Sequence, residues 1–518
     1  MSAANPVLEG SATPGGTASY ASRFASSIGA GGYTSLGSAG LTVSRLGFGC
    51  YRVDDETAEH RQALEHALLK GVNLIDTSTN YTDGGSERLV GAVLRESISQ
   101  GALRREEVVV VSKIGYAQGM NLALAQEREV SGQPFPEMVK YMEDCWHCVH
   151  PEFIQDQLGR SLERLGLQTL DVCLLHNPEY FFLDARKRNA RPLGELRDEF
   201  YRRLTEAFRF LESEARAGKI RWYGVSSNSL GSPANDPEAT SLARMLEAAR
   251  EAGGATHHFA VAQFPMNLFE AGGAREQNNG PGHRETVLET ASRERIGVLV
   301  NRPLNAITDN GMVRLADFSV GEAEVDLEQK LRAVGELEAE YHRDIAPRIE
   351  LPSGSTSPAD FFRWADQLRE LEEKLQSLEH WRDVTGRMIL PHIRQIANAF
   401  NRMLSGTLAE RWQAWWTRYS AEFREVLVEL GRRAGLKSQS QSLSAAALVD
   451  PFLPPERRRE SLSRKALWVL ASTPGVSAVL NGMRHPGYVD DSTGILGWPL
   501  LEDVLPIYKA TAKDDPER

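Results

Sequence analysis

The chain has 518 residues, of which 25% are charged and 41% hydrophobic, the balance of a globular protein with room for two to four domains. A net charge of -11 and a pI near 5.7 argue against general nucleic-acid binding, and no run of about 18 apolar residues is present to span a membrane. The four cysteines fit a reducing, cytoplasmic setting better than a disulfide scaffold.

In chain order, residues 1–35 are rich in Gly, Ser, Ala and Thr and lack the apolar centre of a secretory signal, so a flexible or surface-draped tail is expected. From Ser44 onward, short apolar runs alternate with longer amphipathic ones. The short runs are "RLGFG", "VNLID", "EVVVVSK", "LDVCLLH", "IRWYGVSS", "FAVAQF", "IGVLVNR" and, far downstream, "VSAVLNG". Between the first runs, "TAEHRQALEHALLKG" places Ala63, Ala67 and Leu68 on one helical face and ends at Gly71. Continuous apolar strands flanked by helices point to parallel β/α units, and eight of them suggest a closed (β/α)8 barrel. An open doubly wound sheet would want an early Gly-rich phosphate turn, and Gly47–Arg52 lacks the third glycine of that motif.

The eighth strand is delayed by a long segment of helical pattern. Phe361, Trp364, Leu368, Leu371, Leu375 and Leu378 alternate spacings of three and four. Further stripes run from Ile389 to Leu408 and from Trp412 to Leu430, with a weaker one from Leu327 to Tyr341. The expected organisation is a first barrel part over 36–317, a helical subdomain of about four helices over 318–459, and barrel completion over 460–518. The insert has two open roles, a cap over the active site or a docking and self-association surface.

In a parallel barrel the C-terminal strand ends share one mouth, where chemistry sits. Three consecutive apolar strands end in Asp76, Lys113 and His176, and Tyr81 follows the first of these on a loop. A tyrosine, with a pKa of about 10, is a poor proton donor or base near neutrality unless a nearby ammonium lowers that value. An aspartate would keep the lysine charged, and a histidine could orient a carbonyl oxygen. The set suits protonation of an alkoxide forming from a ketone or aldehyde.

These motifs resemble the aldo-keto reductase family: "DTSTNY", "GGSERLVG", "VVSKIG", "LDVCLLHNP", "GKIRWYGVSS" and "TPGVSAVLNGMRHP" fall in family order along nearly the whole barrel. The resemblance implies an oxidoreductase binding NADP(H), with NAD as second choice, and a small-molecule carbonyl or alcohol as substrate. It implies Tyr81 as general acid/base, Lys113 and Asp76 tuning it, and His176 orienting the carbonyl. Ser226, Ser227 and Gln263 match the positions that hold the nicotinamide carboxamide, with Gly49 and Tyr51 also in the cofactor set. Asn301 stands where many members carry a stacking aromatic ring, and Arg302, Pro303 and Leu304 continue along the pyrophosphate. Gly482, Met483 and Arg484 match the adenosine-phosphate loop, Arg484 for the 2′-phosphate, while Asp491 and Ser492 take the place of a common Glu-Asn pair at the adenine. Ser227, Asn301 and Ser492 depart from the family pattern. A rival reading makes the chain an NADP(H)-binding regulatory scaffold that docks a partner through the helical insert.

"DCWHCVH", Asp144 to His150, carries Cys145 and Cys148 at metal or redox spacing, but no second Cys-x-x-Cys exists, and loop packing is the expected role. Tyr180, Phe181 and Phe182 are candidates for an apolar substrate wall or for packing on the barrel top.

Overall fold

The computed structural model describes residues 6–188, 191–280, 282–308, 311–321, 325–350 and 356–512. The chain forms two compact units, one built from residues up to Leu304 and from Phe452 onward, the other from Asn305–Pro451.

The first unit is a closed eight-stranded barrel. Its strands are β1 (Leu46–Gly49), β2 (Leu74–Asp76), β3 (Val109–Ile114), β4 (Leu170–His176), β5 (Ile220–Ser226), β6 (Phe259–Pro265), β7 (Gly297–Asn301) and β8 (Ala478–Asn481). Each pairs in parallel with its neighbour in chain order, and β8 pairs with β1 to close the ring. All eight expected strands are present. Leu74, Val111, Val172, Leu174, Val261, Leu299 and Leu480 belong to one buried cluster, the apolar filling expected of such a barrel. The register sets Gly49 against Asp76 and Ser226 against His176, so the polar residues that end these strands lie side by side.

The N-terminal residues, expected as a flexible or surface-draped tail, are packed where they are described. Thr13 caps a helix over Pro14–Arg23, and Tyr20 is fully buried, its hydroxyl 2.5 Å from the Leu68 carbonyl and 3.1 Å from that of Val72. Tyr33–Ser35 pairs with Thr42–Ser44, and the Ala12 amide donates to Asp171 at 2.7 Å. A few anchors in a small-residue background suffice, and such anchors leave no periodic signature.

The second unit starts earlier than the expected residue 318. Asn305–Thr308 and Gly311–Arg314 pair as an antiparallel hairpin, a two-stranded sheet separate from the barrel sheet among the described residues. It ends at Pro451 rather than 459, because the following residues tie back to the barrel unit: Arg458 donates to Leu453 O, and Lys465 to Arg458 O. Its helices are Leu327–Glu340, Trp364–Lys374, a rod from Leu378 through a wide turn at Thr385–Ile389 to Met403, and Gly406–Val449. The stripe from Phe361 to Leu378 is not one helix. The chain turns extended at Leu375, and Ser377 accepts from the His380 amide to start the next helix. Phe362, outside that stripe, is 1% exposed and edge-on to Trp415 and Tyr419.

Candidate active site

β2 and β3 end in buried residues of opposite charge. Lys113 is fully buried, and its Nζ donates to Asp76 Oδ2 at 2.7 Å and to the Thr77 carbonyl at 2.6 Å. The chain beyond β2 continues alongside β3, with Thr77 N donating to Val111 O and Thr79 N to Lys113 O, and this aims the Thr77 carbonyl at the ammonium. Burial works against the lysine charge, but Asp76 and Tyr81 outweigh it and raise the Lys113 pKa. The site therefore holds a permanent ammonium.

Tyr81 lies half-buried with Lys113 Nζ 4.7 Å from its ring centroid. Burial pushes its phenol up to about 12, and the Lys113 charge, pulling the other way, does not offset it. The sequence expectation was a lowered value. The direction of the lysine effect is as expected, but desolvation exceeds it, so Tyr81 is a protonated donor throughout neutral pH.

His176 ends β4 edge-on to Tyr81, with centroids 5.9 Å apart. Burial, then Lys113 and His147, lower its pKa well below the usual histidine value, so the ring is neutral. Nδ1 sits 3.0 Å from Ser78 Oγ. Ser78 Oγ also donates to Asn80 Oδ1 at 2.7 Å and reaches the Lys113 carbonyl at 3.2 Å. In the tautomer whose Nδ1 accepts a hydrogen bond from Ser78, Nε2 carries the ring's N–H and can donate to an oxygen.

Asp76 also joins a second chain of bonds. Gln263 Nε2 donates to Asp76 Oδ1 at 2.8 Å, and Gln263 Oε1 accepts from Ser226 Oγ at 3.1 Å and Asn301 Nδ2 at 3.2 Å. Asn301 Oδ1 is buried without a hydrogen-bond partner among the described residues, an acceptor left open on the side chain that Gln263 links to Asp76. Ser227 is buried and bonds Thr240 at 3.0 Å.

The other candidate residues divide clearly. Gly49 ends β1 beside Asp76, and Tyr51 is 63% exposed, edge-on to Tyr81 at 5.2 Å. Arg302 holds a left-handed backbone (φ +52°), a strained state for this residue, and pairs with Glu270 at 3.3 Å. Pro303 and Leu304 are buried. At Gly482 an added Cβ would meet nothing within 4 Å, and Arg484 is exposed without an ion pair among the described residues. Met483 points into the core. Asp491 spends its carboxylate on Ser463 and Arg464, and Ser492 accepts from Asn481 at 2.8 Å, so both are committed internally.

At this mouth Tyr116 was not singled out from the sequence, and His147 only as a neighbour of the Cys145–Cys148 pair. Tyr116, three residues beyond Lys113, packs edge-on to His176 at 4.7 Å and accepts from Asn177 at 2.8 Å. His147, in the insertion after β3, lies with Nε2 2.6 Å from the His176 carbonyl; burial pushes its pKa down to about 4, so it is a neutral donor there. Its strand, Cys145–His147, pairs with Tyr116–Ala117 and Val139–Met142 in a small antiparallel sheet. Cys145 and Cys148 are buried free thiols, and no group of three or more His, Cys, Asp or Glu able to hold a metal occurs among the described residues. Tyr180 meets Tyr116 at 5.2 Å and Tyr141 at 4.8 Å, whereas Phe182 is core, packed on Phe200 at 4.6 Å. Position at the end of an apolar strand was the available signal; for Tyr116 it was close, and for His147 only the fold supplies the contact.

The family model for the aldo/keto reductase family matches residues 45–306, half of the chain. An NAD(P)H-dependent D-xylose reductase of Scheffersomyces stipitis is 26% identical over 194 residues, 36% of this chain and 50% of that protein. An NADH-specific methylglyoxal reductase of Escherichia coli is 31% identical over 149 residues, 27% of this chain and 40% of that protein. The chain thus spans half or less of the length of these two relatives. A solved aldo-keto reductase from Bacillus halodurans aligns over 94% of this chain and 99% of its own at 15% identity and a TM-score of 0.44. With half its length matched by the family model and its eight strands closed into a barrel, the chain belongs to the aldo/keto reductase family.

Proposed function

We propose that this protein is an NADP(H)-dependent carbonyl reductase or alcohol dehydrogenase acting on a small molecule, with Tyr81 as general acid/base. The observation that carries the reading is the convergence of a protonated Tyr81, a buried Lys113–Asp76 pair and a neutral His176. The residues present fit a nicotinamide dinucleotide. Asn301 Oδ1 is a buried acceptor without a hydrogen-bond partner among the described residues, Gln263 bonds Nδ2 of the same side chain, and Ser226 bonds Gln263. Gly482 leaves space, and Arg484 is exposed with no ion pair among the described residues, just before the helix Pro486–Thr493. In this reading Ser226, Ser227, Gln263 and Asn301 hold the carboxamide end, Arg302 to Leu304 line the pyrophosphate, and Arg484 takes the 2′-phosphate. Asn301 would contribute a hydrogen bond where other members contribute a ring face. Met483, Asp491 and Ser492 would shape the adenosine end through packing rather than direct bonds.

When bound, the reduced nicotinamide supplies the hydride. His176 then orients the substrate oxygen, and Tyr81 gives that oxygen its phenolic proton. Lys113, held charged by Asp76, stabilises the phenolate left behind, and the same groups run in reverse for alcohol oxidation. The four free cysteines support a reducing, cytoplasmic setting.

Fluorescence titration with NADPH and NADH, followed by a panel of carbonyl substrates, tests the reading. Tyr81→Phe should keep the wild-type Kd for NADPH and lose roughly 10²–10⁴ in kcat. Unchanged turnover in that variant would sink the assignment, and NADPH binding without turnover of any carbonyl would favour the regulatory alternative.

A further inference from the structure

Glu179 is a buried carboxyl that the reaction above leaves unused. It follows β4 by three residues, is 4% exposed, and its Oε1 accepts the Asn228 amide at 2.7 Å. Its Oε2 is buried with no hydrogen-bond partner among the described residues. Burial raises its pKa to about 7, against the hydrogen bond from the Asn228 amide. The charged group facing it is Glu238, which opposes its ionisation and is itself paired with Arg186 at 2.6 Å; Tyr116 and Tyr180, also close, stay protonated because burial raises both. No cation is paired with it among the described residues. An unpaired buried carboxyl costs stability, and such groups cluster where charge has a use.

Its place in the fold suggests that use. Glu179 holds the amide of Asn228, the residue after Ser226 and Ser227. The same segment is tied to the mouth by Asn177 N donating to Ser226 O at 2.6 Å and Ser227 N donating to Gln263 O at 2.9 Å. The carboxyl therefore stands directly behind the residues read above as the nicotinamide cradle, and the inference rests on that reading. We propose that the carboxylate of Glu179 biases this site toward the oxidised, positively charged nicotinamide over the reduced, neutral one. Ionised, it attracts a cationic ring and is nearly indifferent to a neutral ring; protonated, it is indifferent to both. Binding of the oxidised form thus draws a proton off Glu179 into solvent. The bound nucleotide is therefore weighted toward the oxidised form on the alkaline side of this titration, in addition to the proton that carbonyl reduction itself consumes.

The test uses the full-length protein, NADPH titrated directly by fluorescence and NADP⁺ by displacement, at about pH 6 and about pH 8, on either side of the titration. In wild type the affinity ratio should move toward NADP⁺ by about tenfold over that interval, the size of one charge pair separated by several ångströms at a protein-like dielectric. In Glu179→Gln the ratio should stay flat; the 2′-phosphate titrates in both nucleotides and cancels. Calorimetry of wild type near neutrality, in buffers of different ionisation enthalpy, should show proton release with NADP⁺ beyond that with NADPH, and this arm does not need the variant to fold. Equal pH slopes in wild type and variant, or equal proton release with both nucleotides, overturn the proposal. Failure of both nucleotides to bind overturns the cofactor reading beneath it.

Discussion

Glu179 shows at the scale of one residue how burial sets chemistry. An ordinary glutamate ionises near 4.5, and burial moves this one to about 7. Between those values the folded protein holds a proton that the unfolded chain has released, so Glu179 makes stability fall as pH rises through the interval, and its full cost is present above it. Glu179→Gln removes the titration. Its stability advantage over wild type should therefore grow by up to about 3 kcal/mol between acid and alkaline pH, read by denaturant unfolding at several pH values. A constant difference across pH would mean that Glu179 titrates alike in the folded and the unfolded chain. Tyr81 follows the same physics: burial keeps its proton in place beside the buried Lys113–Asp76 pair, which in the proposed reaction would supply charge when the proton leaves.

Single elements depend on a few anchors. The N-terminal helix Pro14–Arg23 is fixed by Tyr20, whose hydroxyl meets the carbonyls of Leu68 and Val72 at the end of the helix Ala58–Leu69. Tyr20→Phe leaves those buried carbonyls without their donor and should cost about 1–3 kcal/mol of stability by denaturant unfolding. A cost near zero would mean that ring packing alone holds the segment. The small sheet after β3 is anchored similarly, through His147 and the His176 carbonyl. In both cases one polar side chain fixes an element whose own sequence carries little periodicity, and for this reason neither attachment was legible beforehand.

Over the whole molecule, each compact unit has its own apolar core. In the unit Asn305–Pro451 the core centres on Trp412, Trp415, Tyr419 and Phe362, with Trp415 and Tyr419 stacked at 4.6 Å. Trp415→Ala should destabilise this unit by about 3–5 kcal/mol in denaturant unfolding followed by tryptophan fluorescence. A change under about 1 kcal/mol would mean that the helices collapse to refill the space. The long stripe from Trp412 to Leu430 was legible because a continuous helix repeats its buried face every three or four residues. Phe362 was not, since it sits outside a helix at a left-handed backbone position and reaches the core through the turn it makes.

The sequence by itself determined the eight strands and the residues that end them, because apolar runs of strand length are a local property. Asp76, Tyr81, Lys113 and His176 could be named on that basis, together with the family resemblance. Only the tertiary structure decided their protonation, since desolvation depends on everything packed around a group, and it holds Tyr81 at about 12 rather than below its ordinary value. It likewise decided that Gln263 joins Asp76 to Ser226 and Asn301, and that Glu179 lies buried behind the same segment with no cation paired to it among the described residues. Hydrogen bonds between residues 187 positions apart, as for Gln263 and Asp76, have no trace in local pattern; closure of the barrel creates them.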